Sequence, residues 1–141
     1  MIDIEPLVFT TVATALRSEF SGISVYGETV DVPASFPCVM LIEEDNTTLR
    51  ETQDDELTEH HATLMYSVNV YSNLASGRKV QAKQIMDVID EAMQGMKFTR
   101  TMRSQTPNQE RDIYRITARY TAIVERGIAD GDDTVYQMYR R

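Results

Sequence analysis

The residues with the most chemical potential in this chain are two adjacent histidines, one cysteine and a dense run of carboxylates. Adjacent imidazoles invite a metal, but consecutive side chains on an extended backbone point to opposite faces. His60 and His61 therefore cannot both reach one ion, and they read as solvated residues of a loop or strand start. Cys38 could be a nucleophile or a redox centre. It lies within Pro37-Cys38-Val39-Met40-Leu41-Ile42, however, where a small buried hydrophobe is the natural reading. As the single cysteine it has no partner for an intramolecular disulfide, which suits a reducing compartment. The carboxylates are Glu43, Glu44, Asp45, Glu51, Asp54, Asp55, Glu56 and Glu59, set against Arg50 alone. Such density could hold a divalent cation, yet the glycine-anchored alternation of a calcium loop is missing. A solvated acidic loop or hairpin extension fits better. The 6 glycines are scattered singly, so no loop can cradle a phosphate, and no nucleophile sits in a recognisable turn. The sequence points to no enzyme, no metal and no cofactor.

The elements that would position these residues follow from periodicity. Asp3 can cap a helix whose first turn holds Glu5 and Pro6, and Phe9, Val12, Ala13, Leu16 and Phe20 form one face of it. Ser21-Gly22 ends that helix. Ile23 to Tyr26 is a short strand, and Cys38 to Ile42 reads as a buried one. After the acidic stretch Glu43 to Glu59, alternation of Ala62, Leu64, Tyr66, Val68 and Val70 with polar neighbours marks a half-buried strand. Ala82, Ile85, Met86, Ile89, Ala92, Met93 and Met96 are the clearest helical stripe, with Gly95 as its stop. Phe98 to Arg103 predicts a strand, and Tyr114 to Val124 alternates as the last long one.

The order is α-β-β-β-α-β-β. It predicts an α+β fold, ferredoxin-like in character, with a mainly antiparallel sheet and two helices packed on one face. The opposite face, with Ser67, Asn69, Arg115, Thr117 and Arg119, should meet water or a neighbour. At 141 residues the chain fits one domain over 1–126, followed by a C-terminal tail or arm over 127–141. A formal net charge of −8 argues against a protein that grips nucleic acid, though not against one that surrounds it. No stretch has the apolar length of a membrane span or of a signal peptide, so the chain is expected in the cytoplasm unless carried out within a larger object.

Two features favour neighbours over solvent. The second helix begins Arg78-Lys79, adds Lys83 and ends with Asp87, Asp90 and Glu91, the reverse of what the helix dipole prefers. Either solvent screens those charges or the basic end meets acid on another chain. The tail carries Val135, Tyr136, Met138 and Tyr139, apolar enough for an arm that packs on or adds a strand to another subunit, although a disordered end is equally compatible. Arg78, Lys79, Lys83, Arg115, Arg119, Tyr136 and Tyr139 are thus the candidate interface residues.

Tyr71-Ser72-Asn73, Gly77-Arg78-Lys79, Gly95-Met96-Lys97-Phe98-Thr99-Arg100 and Ile113 to Tyr120, set in this element order, resemble the tail terminator (tail completion, neck) proteins of long-tailed bacteriophages. The resemblance spans most of Ile4 to Arg126. It implies a homohexameric ring in the virion neck, assembled in the host cytoplasm. That ring would cap the tail tube, stop its elongation and offer the surface on which the head joins. Its partners would be itself, the tail tube protein and the head–tail connector, with DNA passing through the lumen without sequence-specific binding. The acidic stretch is then the candidate lumen- or tube-facing loop, since an acidic lining repels DNA and lets it slide. Another head–tail connector or head-completion protein, and a small ligand-binding regulatory domain, are the alternatives.

Overall fold

A computed structural model describes residues 3–30, 33, 35–48, 61–106, 112–126 and 136–139. The elements are α1 (Glu5–Glu19), β1 (Ser24–Tyr26), β2 (Cys38–Thr48), β3 (His61–Ser72), α2 (Arg78–Gly95), β4 (Thr99–Gln105), β5 (Tyr114–Arg126) and β6 (Tyr136–Tyr139). The expected α-β-β-β-α-β-β order is present, with β6 added from the tail.

The strands form one sheet in the order β1-β2-β3-β5-β4, with β6 on β5. β1 runs parallel to β2, and every other pairing is antiparallel. β3 occupies one side of β5 from Tyr114 to Glu125, so β4 and β6 must share the other. β4 takes Ile116–Thr121, and β6 takes Ile123–Arg126.

Both helices contribute to a single apolar cluster. Val8, Val12 and Leu16 of α1 meet Ala82, Ile85, Met86, Ile89 and Met93 of α2 over Leu64, Tyr66 and Val68 of β3 and Ile116, Ala118 and Tyr120 of β5. These are the positions that period 3.6 and period 2 bring to one side. Tyr66 and Phe98 meet edge to face with centroids 5.4 Å apart, a favoured aromatic geometry.

Local chemistry sets the helix ends. The N-cap of α1 is Ile4 rather than Asp3, but Asp3 still serves the end: its Oδ1 accepts the Glu5 amide at 3.1 Å. Gly95 lies in the last turn of α2, and the stop comes two residues later. Lys97 adopts φ 70°, its amide bonds the Gln94 carbonyl, and the Phe98 amide bonds the Met93 carbonyl. This is a Schellman closure with lysine where glycine is usual, held by burial of both Phe98 and Met93.

Candidate assembly surfaces

The acidic stretch is not a loop from its start. β2 runs past Ile42 to Thr48, its backbone paired residue by residue with β3 as far as Ala62. A bulge between Glu43 and Asp45 places one extra residue in the strand, so neighbouring carboxylates split between the faces. Glu43 pairs with core Tyr66 and lies on the helix side, where the Tyr66 hydroxyl donates to Glu43 Oε1 at 3.2 Å. Glu44 turns to the other side and accepts the Ser67 hydroxyl at 2.6 Å. Asp45 is exposed and receives Thr47 Oγ1 on both carboxylate oxygens at 3.0 Å. Glu51, Asp54, Asp55, Glu56 and Glu59 lie outside the described residues, as does His60.

Asp3, Glu5 and Glu43 bring carboxylate oxygens within 4.8 Å of one another. Burial pushes the Glu43 carboxyl above its ordinary range, and the charges of Glu5 and Asp3 push the same way, against the hydrogen bond from Tyr66. Glu43 thus shares an acidic cluster with Asp3 and with Glu5 of α1.

On the helix-free face Asn69, Arg115 and Thr117 share one network, and not all of the expected residues meet water. Ser67 and Asn69 are 4% and 7% exposed, because longer neighbours on the same face cover them. Asn69 Oδ1 accepts Nε and Nη2 of Arg115 at 3.1 and 2.9 Å and the Thr117 hydroxyl at 2.7 Å. The Arg115 guanidinium also sits 5.3 Å from the centre of the Tyr71 ring. Arg115 is thus half-buried and immobilised by its own chain, whereas Arg119 is exposed.

The reversed charges of α2 resolve into two different cases. Asp90, expected to be ill placed, has partners in its own chain: Arg100 Nη1 at 2.7 Å, the Tyr120 hydroxyl at 2.8 Å and Gln94 Nε2 at 2.7 Å. Those donors outweigh the dipole effect, since charge-assisted hydrogen bonds exceed a terminal dipole contribution. At the other end, Arg78 bonds the Leu74 carbonyl at 3.2 Å, while Lys79 and Lys83 are exposed. Two apolar side chains stand beside them, Leu74 at 41% and Val80 at 59% exposure. The structure does not bring Arg78, Lys79 and Lys83 together with Arg115 and Arg119 through any hydrogen bond or ion pair among the described residues.

Tyr136 and Tyr139 bound β6, whose register on the chain's own β5 pairs Arg126 with Tyr136 and Ile123 with Tyr139. Cys38 is fully buried, and burial pushes its thiol up to about 11, which leaves it protonated and inert near neutrality. Among the described residues no helix is long and apolar enough to cross a membrane. Sequence reasoning missed the Asn69 and Asp90 networks. An asparagine between Val68 and Val70, in a strand otherwise buried on its alternate residues, was the available signal for the first.

Comparison with known proteins bears on these surfaces. The model of a family described as tail completion protein gp17 matches residues 10–125. A solved chain from the virion of a native gene transfer agent particle has the same fold. Its TM-score is 0.66 at 18% identity, over 86% of this chain and 94% of that one. No curated protein matches the sequence.

Proposed function

This chain belongs to the tail completion protein gp17 family, and from that premise we propose that it is a tail terminator: a homohexameric ring that caps the tail tube. It is a structural component of a phage tail. In the reading advanced here the ring stops tube elongation and provides the surface on which the head joins. It carries out no catalysis and needs no cofactor. The single observation that carries this reading is the family match, which runs from within α1 to the end of β5.

The geometry supplies what such a role needs. Arg119, the basic start of α2 with Lys79 and Lys83, and strand β6 with Tyr136 and Tyr139 are surfaces for a neighbouring subunit, the tube protein or the head–tail connector. Arg78 and Arg115, already held by their own chain, shape these surfaces more than they reach out from them. A stable subunit contact buries on the order of 800 Å² per partner. Glu43, Glu44 and Asp45 belong to the acidic surface facing the lumen or tube, continued in sequence by Glu51, Asp54, Asp55, Glu56 and Glu59. Fixed negative charge there repels DNA along the whole passage and leaves it free to slide without sequence-specific binding. Assembly takes place in the host cytoplasm and the product is found in the virion neck.

Deleting this chain's coding sequence from its phage tests the reading. The expected particles are headless tails of unregulated length, accompanied by filled heads without tails. Tails of normal length joined to heads would overturn it.

A further inference from the structure

The start of α2 leaves apolar side chains in solvent. Val80 is 59% exposed and Leu74 is 41% exposed. The bond from Arg78 to the Leu74 carbonyl holds Leu74 beside the first helical turn. Lys79 and Lys83, one turn apart, flank Val80 and are exposed. Neither lysine has a hydrogen bond or ion pair among the described residues. No acid stands in that first turn, and Asp87, a turn beyond Lys83, ends the basic stretch.

A second surface has the complementary character. Asp3, Glu5, Pro6, Phe9 and Gly27 line an open hollow of about 280 Å³, walled mainly by apolar atoms. Gly27 has no side chain to fill it, and a Cβ there would already stand 3.5 Å from the Phe9 ring. The rim is acidic: Asp3 and Glu5 share a cluster with Glu43, and the lining holds no base. The two surfaces lie apart on one subunit. Glu43 pairs with Tyr66, whereas α2 is tied to β3 at Ser72, whose hydroxyl bonds Gln81. Those two points on β3 are separated by roughly 20 Å of strand, at about 3.3 Å per residue.

Charge keeps like surfaces apart. Two α2 starts would set lysines against lysines, and two hollows would set carboxylates against carboxylates, a juxtaposition that costs affinity. We propose that the start of α2 in one copy of this chain docks on the α1 hollow of the next copy. Val80 enters beside Pro6 and Phe9, while Lys79 and Lys83 face Asp3 and Glu5. The occupant is a second copy because the chain itself carries both complementary halves, on separate regions of its surface. Such a contact is heterologous, and it closes into a ring when the rotation between copies closes. The inference rests on the ring reading above and names the contact that would build it. Burial of Val80 supplies attachment, and the charges select the partner surface and steer its approach.

Two full-length variants test it by native mass spectrometry over a concentration series. One carries Lys79→Glu with Lys83→Glu, the other Asp3→Lys with Glu5→Lys. Each alone sets like charges at every junction and should need a roughly tenfold or higher concentration to assemble. Mixed in equal amounts, the two set opposite charges at every junction, and an alternating ring should return near the wild-type concentration. Misfolded variants could not be rescued in this way. Val80→Ser keeps every charge and should leave the melting temperature unchanged, yet raise the assembling concentration by roughly threefold or more. Charge variants that assemble alone as the wild type does, or a mixture no better than its components, overturn this contact while the ring reading stands. Normal rings that then fail to restore tails in phage complementation also overturn it, and assign the two surfaces to the tube protein or the head–tail connector. A wild type that stays monomeric at every concentration overturns both the contact and the ring.

Discussion

The two faces of β3 and β5 are made from alternate residues of the same strands, yet they solve different problems. On the helix side Leu64, Tyr66, Val68, Ala118 and Tyr120 are removed from water by α1 and α2. The polar atoms there are the tips of two large rings, and each hydroxyl finds a carboxylate, Tyr66 on Glu43 and Tyr120 on Asp90. On the bare side Arg115 and Thr117 donate to Asn69, Ser67 donates to Glu44, and Arg119 is exposed. Apolar burial specifies how the chain folds. The polar face is ordered by its own hydrogen bonds, and among the described residues no helix packs on it.

Substitutions on the two faces should separate in size. Ile89→Ala, in the centre of the helix side, should cost about 2–5 kcal/mol in denaturant unfolding, through lost burial and the cavity left behind. A loss below about 1 kcal/mol would mean that this face is not the core. Asp90→Ala strips one acceptor from Arg100, Gln94 and the hydroxyl of buried Tyr120, and it should cost about 1–3 kcal/mol. If it proves neutral, the reversed charge of α2 has no local compensation. On the bare side, Asn69→Ala should cost about 1 kcal/mol, because its lost donors, Arg115 and Thr117, are partly wet. An effect as large as that of Ile89→Ala would erase the distinction between the faces.

The smallest effect concerns pH. Glu43 has its folded pKa raised by burial and by Glu5 and Asp3. Its protonated form is thus favoured by folding, and the resulting stability is fully present below the ordinary glutamate pKa. That stability is lost as pH rises through the folded value. Glu43→Gln keeps an acceptor for Tyr66 and should be slightly stabilising at pH 7, by under about 0.5 kcal/mol, with no gain near pH 3. Thermal melts at both pH values would show it. A loss of stability at pH 7 would mean that the ionised carboxylate is favoured by folding after all.

Much of the fold was legible in the sequence because its strongest signals are periodic. The stripe from Ala82 to Met93 and the alternation from Ala62 to Val70 both turned out to face one core. The extension of β2 through Glu43 and Asp45 was not legible. Carboxylates there resemble a loop, but the pairing that holds them runs through backbone groups and the β3 ladder, whatever the side chains are. Asp90 was misjudged for a related reason. Its partners Arg100 and Tyr120 are 10 and 30 residues away in sequence, so no helix-local rule could find them. β6 was hidden likewise, since its register is set by the open end of β5 beyond β4. Among the candidate surface residues Glu44, Asp45, Lys79, Lys83 and Arg119 are exposed, but which charges are already satisfied at home required coordinates.

Assembly into a closed ring is what the proposed role requires of this chain. The mass of the wild-type chain in native mass spectrometry, followed from dilute to concentrated protein, tests it most directly. The expected result is one discrete hexamer whose population rises with concentration and falls with salt. A strict monomer throughout, or a continuous ladder of masses without closure, would contradict it.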